Sequence, residues 1–493
     1  MSVTTTHPSY DKLKPQWARL RDVIAGRDAM LAKARLIGGM TGRGSLFAAS
    51  AWQQEEYIQR LSGMDEVAYY RYCEAAQFFN ATGRAVDALA GMVMAKDPDT
   101  ELPAPLDAYA DDITLDGTSL REFAQNIITE EISLTRVGVM VDYHAGIPSG
   151  LTRGDAERLN IRPFLRHYTG ESILNWRVSA VNGAQVLTMV VLAEEMEQQK
   201  DEFSAECVTV YRVLDLTEQG YRVRLMNDKS ELISETFPLM NGRPMGFIPF
   251  VIVGGNKARK PLLIDLADTN IGHYRNSAQF ERGLGFTGSP VPVVSGVTLE
   301  PGQSLNIGSM SAWVFPDPAA SAEYLEFKGD GLKSNVEAMK DKEQRMAILG
   351  ARMLVEEKRT AEASDTVSMR TAGERSLLAA VANDVSDAMT RALRWMAEWS
   401  GVSTDGIVFK LNTDYGAARM TPQMLTALGN EVRSGQMPLE VYFDNLKRGE
   451  IANGEFEDYE AKLDTQAPQM DAPTAESPPA RGGMAGLRNL LGL

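Results

Sequence analysis

The feature that most constrains the fold of this chain is a Pro- and Gly-rich insert, residues 285–328, that separates two helical stretches. The stretch before it, residues 262–282, and the stretch after it, residues 330–349, both carry apolar residues at the spacing of an amphipathic helix. Within the insert, the runs VPVVSG, SAWVF and AEYLEF are typical of short strands. The chain is therefore predicted to extend one helix, form a small β element and return along a second helix. The apolar positions are Ile264, Ala267, Ile271, Tyr274 and Ala278 in the first stretch and Leu332, Val336, Met339 and Met346 in the second.

The segment GLGFTG at the start of the insert has the G-x-G-x-x-G spacing of a dinucleotide-binding loop. Such a loop requires a buried strand before it and a helix after it. Here a helix precedes it, and Pro290 and Pro292 exclude a helix interior after it. Glycine is favoured at helix C-termini because it adopts the left-handed conformation without a Cβ clash. We therefore predict that Gly283, Gly285 and Gly288 end the first helix and join it to the insert, without binding a nucleotide.

Four further regions and a tail surround this unit. The long helix among them has an apolar stripe that ends at Trp399, and Gly401 closes it. The regions are the amphipathic helices of residues 10–95, the β-rich hairpins of residues 160–253, the long helix of residues 366–399, the shorter helices of residues 418–465, and a tail, residues 466–493, with the composition of a disordered linker. The stripe comprises Leu378, Val381, Val385, Met389, Ala392, Met396 and Trp399.

Charge and composition narrow the class of protein. The chain has 493 residues and a formal net charge of −16, which argues against tight binding to nucleic acid through Lys and Arg. This charge still fits a protein that surrounds DNA without holding it. No apolar run approaches the ~18 residues of a membrane span, and the N-terminus lacks the layout of a signal peptide. Cys73 and Cys207 are too few for a disulfide framework, so we expect a protein made in a reducing cytoplasm.

One pattern suggests an enzyme. Asp317, Glu326 and Lys328 have the P-D-x8-E-x-K spacing of metal-dependent nucleases, in which two carboxylates hold Mg²⁺ and the lysine orients a water. The four histidines have no metal-ligand spacing, and no α/β core is predicted around the motif. A metal-dependent nuclease of the PD-(D/E)xK type is therefore an alternative. The main expectation is a protein without catalytic residues, metal or cofactor.

Several unlinked segments occur in an order that points to a family. They are HPSYDKLKPQWARLRDVIAGRD, FFNATGRAVDALAGMV, IPFVIVGGN, LADTNIGHYRNSAQFERGL and TAEASDTVSMRTAGERSLLAAVANDVSDA. Together with the order of parts, they resemble the portal (head-to-tail connector) proteins of tailed bacteriophages, in a subfamily catalogued as a domain of unknown function. Residues 360–364 depart from the family's Glu-Thr-Ala-Thr-Glu-like stretch, which leaves the boundary of its tunnel loop open.

The resemblance implies an α+β, portal-like fold with a helical and β wing body, a two-helix stem, a small β clip insert, a long wing helix and a helical crown. The three glycines would then form the joint between stem and clip. Carried over by segment, the parts are a wing body, 1–261; a stem helix, 262–284; the clip, 285–328; a second stem helix, 329–349; the tunnel loop, 350–365; the long wing helix and following segment, 366–417; crown-like helices, 418–465; and a flexible tail, 466–493.

The resemblance also implies a function. Portal proteins form a ring, expected here to have twelve copies, at one capsid vertex. The ring conducts double-stranded DNA during packaging and ejection, without binding it specifically. Expected partners are a terminase, a head-tail adaptor, and capsid and scaffolding proteins, and no membrane is involved. The location would be the virion, after assembly in the host cytoplasm. A different multimeric virion protein is the remaining alternative.

Two sets of residues are candidates for these contacts. Basic residues of the second stem helix and tunnel loop would guide DNA through an otherwise repelling channel. Apolar and proline residues of the insert would form the clip interaction surface. The DNA-channel candidates are Lys333, Lys340, Lys342, Arg345, Lys358 and Arg359, and the clip candidates are Pro290, Pro292, Trp313 and Phe315.

Overall fold

The computed structural model describes most of the chain and divides it into two compact units. The first unit comprises Met1–Glu357 and Arg375–Thr413, and the second comprises Lys358–Glu374 and Asp414–Leu493. The described residues are 2–37, 57–144, 153–181, 183–288, 291–296, 318–325, 330–351, 377–413, 415, 422–448, 451–452, 454 and 456–466.

The N-terminal part of the first unit is mainly helical, as predicted. Side chains cap the helices: the Asp65 carboxylate accepts from the Ala68 amide and the Asn80 side chain accepts from the Gly83 amide. Residues 67–94, which lie within the predicted helical region, contribute to two helices because the chain is extended at Ala76. The elements are α1 (Pro8–Ala25), α2 (Arg27–Ile37), α3 (Glu66–Ala75), α4 (Ala81–Val93), β1 (Asp99–Glu101), α5 (Ala104–Asp107) and α6 (Leu120–Leu134).

The predicted β-rich part contains two antiparallel sheets and a small hairpin. Two of the hairpins predicted in residues 160–253 are formed, since Val181 pairs with Ala184 and Thr217 pairs with Gly220. The elements are β2 (Val137–Asp142), α7 (Arg153–Arg158), β3 (Phe164–Thr169), β4 (Ile173–Val181), β5 (Ala184–Gln199), β6 (Ala205–Thr217), β7 (Gly220–Met226), β8 (Leu232–Thr236), β9 (Leu239–Met240), β10 (Arg243–Pro244) and β11 (Phe250–Ile252). The strand orders are β11-β2-β3, β4-β5-β6-β7-β8 and β9-β10.

A buried carboxylate links the two larger sheets. Glu194 of β5 accepts hydrogen bonds from the Tyr168 hydroxyl of β3 at 2.6 Å and from Arg212 Nε of β6 at 2.6 Å. Burial opposes the charge of Glu194, but the hydrogen bonds from Arg212 and Tyr168 hold its pKa below the usual range. The two sheets are thus joined by a hydrogen bond from Tyr168 to the Glu194 carboxylate, which Arg212 of the neighbouring strand in the five-stranded sheet keeps charged.

The remainder of the first unit contains the two helices that flank the insert and the long helix. All seven apolar positions predicted for the long helix are buried, and the helix packs against α6 and β2. The predicted start of this helix, residues 366–376, lies outside the described residues. The elements are α8 (Ile264–Thr287), β12 (Val291–Ser295), β13 (Ser321–Leu325), α9 (Asp330–Ala351), α10 (Leu377–Trp399) and β14 (Val408–Lys410), which pairs with β1.

The described part of the second unit is helical, as predicted. Phe443 is buried there, with its ring 5.7 Å from that of Phe456 and 4.9 Å from that of Tyr459, between centroids. The helices are α11 (Pro422–Arg433), α12 (Leu439–Arg448) and α13 (Phe456–Gln466). Of the helices that the structure describes in either unit, none is both long enough and apolar enough to cross a membrane.

Candidate functional site: the α8–α9 helix pair

The first half of α8 is held in the core of the first unit. All five apolar residues of its predicted stripe are buried. Asn270 is fully buried as well: its Oδ1 accepts from the amide of Thr82 at 3.2 Å and from the Thr82 hydroxyl at 3.1 Å, while its Nδ2 donates to the Phe79 carbonyl at 2.7 Å. These bonds fix α8 to the start of α4.

The second half of α8 is much less covered. No residue from Gln279 to Gly288, all of them described, is fully buried. Helix α9 runs back along α8, and among residues 331–350, whose burial is described, only Met346 is fully buried. The two helices therefore contact mainly each other along this part of their length.

Three contacts set the antiparallel pairing of α8 and α9. Asn335 Nδ2 donates to the Asn276 carbonyl at 3.1 Å. His273 Nε2 lies 3.2 Å from Glu343 Oε1, which forms an ion pair when the ring is protonated. Near the far end, Gly283 faces Leu332 so closely that a Cβ at position 283 would overlap the leucine methyl group.

The predicted end of the first helix is wrong by one turn. Helix α8 continues through Gly283 and Gly285 to Thr287, and Gly288 is its C-cap. The φ of Gly288 is −80°, in the right-handed region, so no left-handed glycine ends this helix. The Gly288 amide instead donates to the Leu284 carbonyl. Gly283 serves close helix packing, which is a different reason for glycine from the one expected.

The insert forms a two-stranded hairpin in the part that the structure describes. Strands β12 and β13 pair from Val291 with Leu325 to Ser295 with Ser321. Pro292 lies in β12 opposite Tyr324, a place that proline tolerates because each strand of the ribbon has an unpaired edge. Other candidates lie outside the described residues: Pro290, Trp313 and Phe315 of the clip surface, and Asp317, Glu326 and Lys328 of the nuclease pattern.

The basic residues of α9 do not share one face. Lys333 and Lys340 are exposed and two turns apart, so they lie on the same side of the helix. Arg345 is exposed on another side. Lys342 packs against α8, where its Nζ donates to Asn276 Oδ1 at 3.4 Å.

Residues 350–365 were expected to form the tunnel loop. Helix α9 extends to Ala351, so residues 350 and 351 are helical rather than part of a loop. The other two basic candidates, Lys358 and Arg359, lie outside the described residues.

Two apolar side chains at the end of α8 are exposed and were not identified as site residues from the sequence. Leu284 is 41% exposed and Phe286 is 55% exposed, and the Arg282 guanidinium lies 5.4 Å from the centroid of the Phe286 ring. Both residues fall off the buried stripe that ends at Ala278. That mismatch with the helical period is the sequence signal that could have identified them.

The segment that leads into α8 is fixed by an ion-pair cluster in which only Glu131 is fully buried. Arg259 Nη2 lies 3.2 Å from Glu131 Oε1 of α6 and 3.0 Å from Asp384 Oδ2 of α10. Burial raises the pKa of the Glu131 carboxyl to about 8, although Arg259 favours its charged form. Gly254, with φ +67°, allows this arrangement because a Cβ there would overlap the Arg259 guanidinium. Nearby, burial lowers the pKa of Arg136 to about 10.

The described residues contain no group of three His, Cys, Asp or Glu side chains placed to hold a metal ion. The described part of the helix pair offers three kinds of surface group. These are exposed cations on α9, exposed apolar side chains at the end of α8, and a hairpin with open strand edges.

A family model described as a domain of unknown function (DUF4055) matches residues 261–400. This stretch contains the helix pair, the hairpin and the long helix α10. No curated protein matches the chain.

Solved structures similar to this chain come from gene transfer agent (GTA) particles. A chain in the neck of the empty particle, computed with C6 symmetry, has a TM-score of 0.40 and 11% identity, over 85% of this chain and 99% of that chain. A chain in the virion of the native particle has a TM-score of 0.36 and 12% identity, over 77% and 91%. A chain in the neck of the native particle, computed with C12 symmetry, has a TM-score of 0.36 and 11% identity, over 74% and 89%.

The match to a domain of unknown function agrees with the subfamily resemblance identified from the sequence. The chain is also similar to chains of gene transfer agent particles. At identities of 11–12% and TM-scores of 0.36–0.40, these likenesses assign no role to this chain.

Proposed function

We propose that this chain is a portal subunit of a phage-like particle, a structural protein that forms a ring at one capsid vertex. Twelve copies would surround double-stranded DNA during packaging and ejection. The helix pair would be the stem, the hairpin the clip, and α10 the wing helix. The terminase, the head-tail adaptor, and the capsid and scaffolding proteins would be its partners.

One observation carries this proposal: α8 and α9 leave the core together as an antiparallel pair joined at its far end by a small β-hairpin. In a monomer such an extension adds little to stability, because its residues are half-buried or exposed. The extension becomes useful when copies stand side by side, since neighbouring pairs then cover one another and line a common axis. Leu284 and Phe286 at its end offer apolar surface to a docking protein.

Charge supports a conduit rather than a DNA-binding protein. Each copy contributes a formal charge of −16, so a ring would repel the duplex over most of its surface. Lys333 and Lys340 are the exposed cations on one side of α9 and are the best placed of the described candidates to guide it. Lys342 is assigned to the contact between the helices instead.

Negative-stain electron microscopy of the purified protein tests the ring. Rings of about twelve copies with a hole wide enough for duplex DNA are expected, and a protein that stays monomeric or dimeric at every concentration contradicts the proposal.

A packaging assay tests the conduit. The K333Q/K340Q variant is expected to form rings but to package or retain several-fold less DNA. The matched control is K12Q/K257Q, which changes the charge equally at two exposed lysines outside the helix pair and should package like the wild type. Equal packaging by both variants would contradict the assignment of Lys333 and Lys340 to the channel.

A further inference from the structure

A long hairpin of the five-stranded sheet extends beyond its neighbours. In β5, residues 194–199 have no partner in β4, and in β6, residues 205–210 have no partner in β7. They pair only with each other, from Glu194 with Val210 to Gln199 with Ala205. We call residues 194–210 the arm; at ~3.3 Å per residue its ladder is about 20 Å long.

The tip of the arm is a hydrogen-bonded turn that carries an exposed aromatic ring. The Asp201 carboxylate accepts from the amides of Phe203 and Ser204 at 2.9 and 2.8 Å and from the Ser204 hydroxyl at 2.5 Å. Phe203 is nevertheless 92% exposed. Residues 195–207 are exposed without interruption. A turn ordered by its own hydrogen bonds thus holds a large apolar side chain in solvent, an arrangement suited to insertion into another surface.

The edge of the same sheet has exposed apolar side chains, as the tip of the arm does. Strand β8 is the last strand of the sheet and has a neighbour on one side only. Four large apolar side chains within eight residues are exposed in β8 and in the segment that follows it as far as β9, the densest such group in the described part of the chain. We call them the β8 edge: Leu232, Ile233, Phe237 and Leu239, exposed by 54, 53, 39 and 50%.

We propose that the arm of one copy docks on the β8 edge of the next copy, with Phe203 as the inserted side chain. Both surfaces belong to one chain, yet within that chain the tip remains 92% exposed and the edge remains uncovered. A contact between two different surfaces of identical chains is head-to-tail, and it generates a ring when its rotation closes. This inference rests on the proposed ring and assigns residues to one of its interfaces.

A complementation experiment tests the head-to-tail contact. Variant F203D removes the arm contact, and variant I233D removes the edge contact. Val67, 60% exposed on α3, provides the matched control V67D. Circular dichroism should show that all three fold like the wild type, because the changed side chains lie mainly in solvent.

Native mass spectrometry then measures assembly. The wild type and V67D should form rings, whereas F203D alone and I233D alone should stay monomeric. An equimolar mixture of F203D and I233D should form one-to-one dimers and no rings, because a single intact arm meets a single intact edge. Rings of F203D alone, or a mixture that stays monomeric, would overturn the arm contact while leaving the portal proposal standing. A wild type that never assembles would overturn both.

The cysteines provide an independent readout. Cys207 is exposed on the arm and Cys73 is buried, so a maleimide reagent labels the arm selectively. Labelling of Cys207 should slow by about tenfold or more when wild-type rings form, because access controls thiol reactivity. Equal rates in rings and monomers would show that the arm stays free and would overturn the contact.

Discussion

The two halves of α8 belong to one helix but to different environments. Its first half lies in the core, where an apolar stripe and the buried Asn270 fix its position. Its second half has no fully buried residue between Gln279 and Gly288, and it packs against α9 at Gly283. A single element can therefore be specified by packing at one end and by a neighbour and exposed groups at the other.

This difference separates stability from assembly. Changes in the first half should alter the free energy of unfolding, because they break buried contacts. Changes in the second half should leave folding nearly intact and alter the surface that the helix pair offers to other proteins.

The Asn270→Ala substitution should cause the largest loss of stability. It breaks three hydrogen bonds and removes the partner of the buried amide and hydroxyl of Thr82, which should cost about 3 kcal/mol or more. Tryptophan fluorescence during urea unfolding measures this loss selectively, because the second unit contains no Trp.

The matched control for that substitution is Asn335→Ala on α9. Its side chain donates one hydrogen bond to Asn276 in a part-buried place, so the expected loss is about 1 kcal/mol or less. Equal losses for the two variants would show that the helix pair is as tightly integrated as the core, and the contrast between the halves of α8 would fail.

The buried acid beside the start of α8 predicts a pH dependence. Burial raises the pKa of Glu131 to about 8, so the folded state keeps a proton that the unfolded state releases near pH 4.5. Stability from this group is complete below pH 4.5 and is lost as the pH rises towards 8. Between pH 6 and pH 9 the loss should be about 2.6 kcal/mol, since each pKa unit corresponds to about 1.36 kcal/mol.

Urea midpoints measured across that pH range check this prediction. The Glu131→Gln variant should lose this part of the dependence, because its side chain has no proton to release. Asp384→Asn should move the dependence to lower pH, since removal of a neighbouring negative charge lowers the pKa of Glu131. A wild type whose stability is flat from pH 6 to pH 9 would contradict the raised pKa.

Prediction from the sequence was most accurate where the helical spacing of apolar residues indicates which side chains are buried. The stripes of α8 and α10 are buried as predicted, and both hairpin turns are in place, because helical spacing and turn chemistry are local properties. The end of α8 was mispredicted because glycine has more than one use. Gly283 faces the terminal methyl group of Leu332, a residue 49 positions further along the chain, and no local pattern reveals that approach.

The site residues show the same limit. Four basic residues of α9 look equivalent in the sequence, but only contact with α8 distinguishes Lys342 from Lys333 and Lys340. The arm was also missed, although both of its strands lie within the predicted β-rich part. Its extension depends on where β4 and β7 stop pairing, which is a property of the whole sheet.

The smallest predicted effect distinguishes the two helical glycines of the GLGFTG segment. Gly285 has nothing within 4 Å of the place where a Cβ would lie, so Gly285→Ala should stabilise the end of α8 by about 0.5–1 kcal/mol through helix propensity alone. At Gly283 the same methyl group would overlap Leu332. Gly283→Ala should therefore end about 1–2 kcal/mol less stable than Gly285→Ala, because overpacking offsets the gain in propensity.

Hydrogen exchange of the amides of residues 279–287 measures this difference, since it reports local opening of the helix end. A double variant supplies the control: with Leu332→Ala present, the Gly283→Ala change should become stabilising, because the overlapping methyl group is gone. This sign reversal is specific to a steric contact between α8 and α9. If Gly283→Ala and Gly285→Ala protect the helix end equally, the two helices do not touch at Gly283, and the glycines of this segment need another explanation.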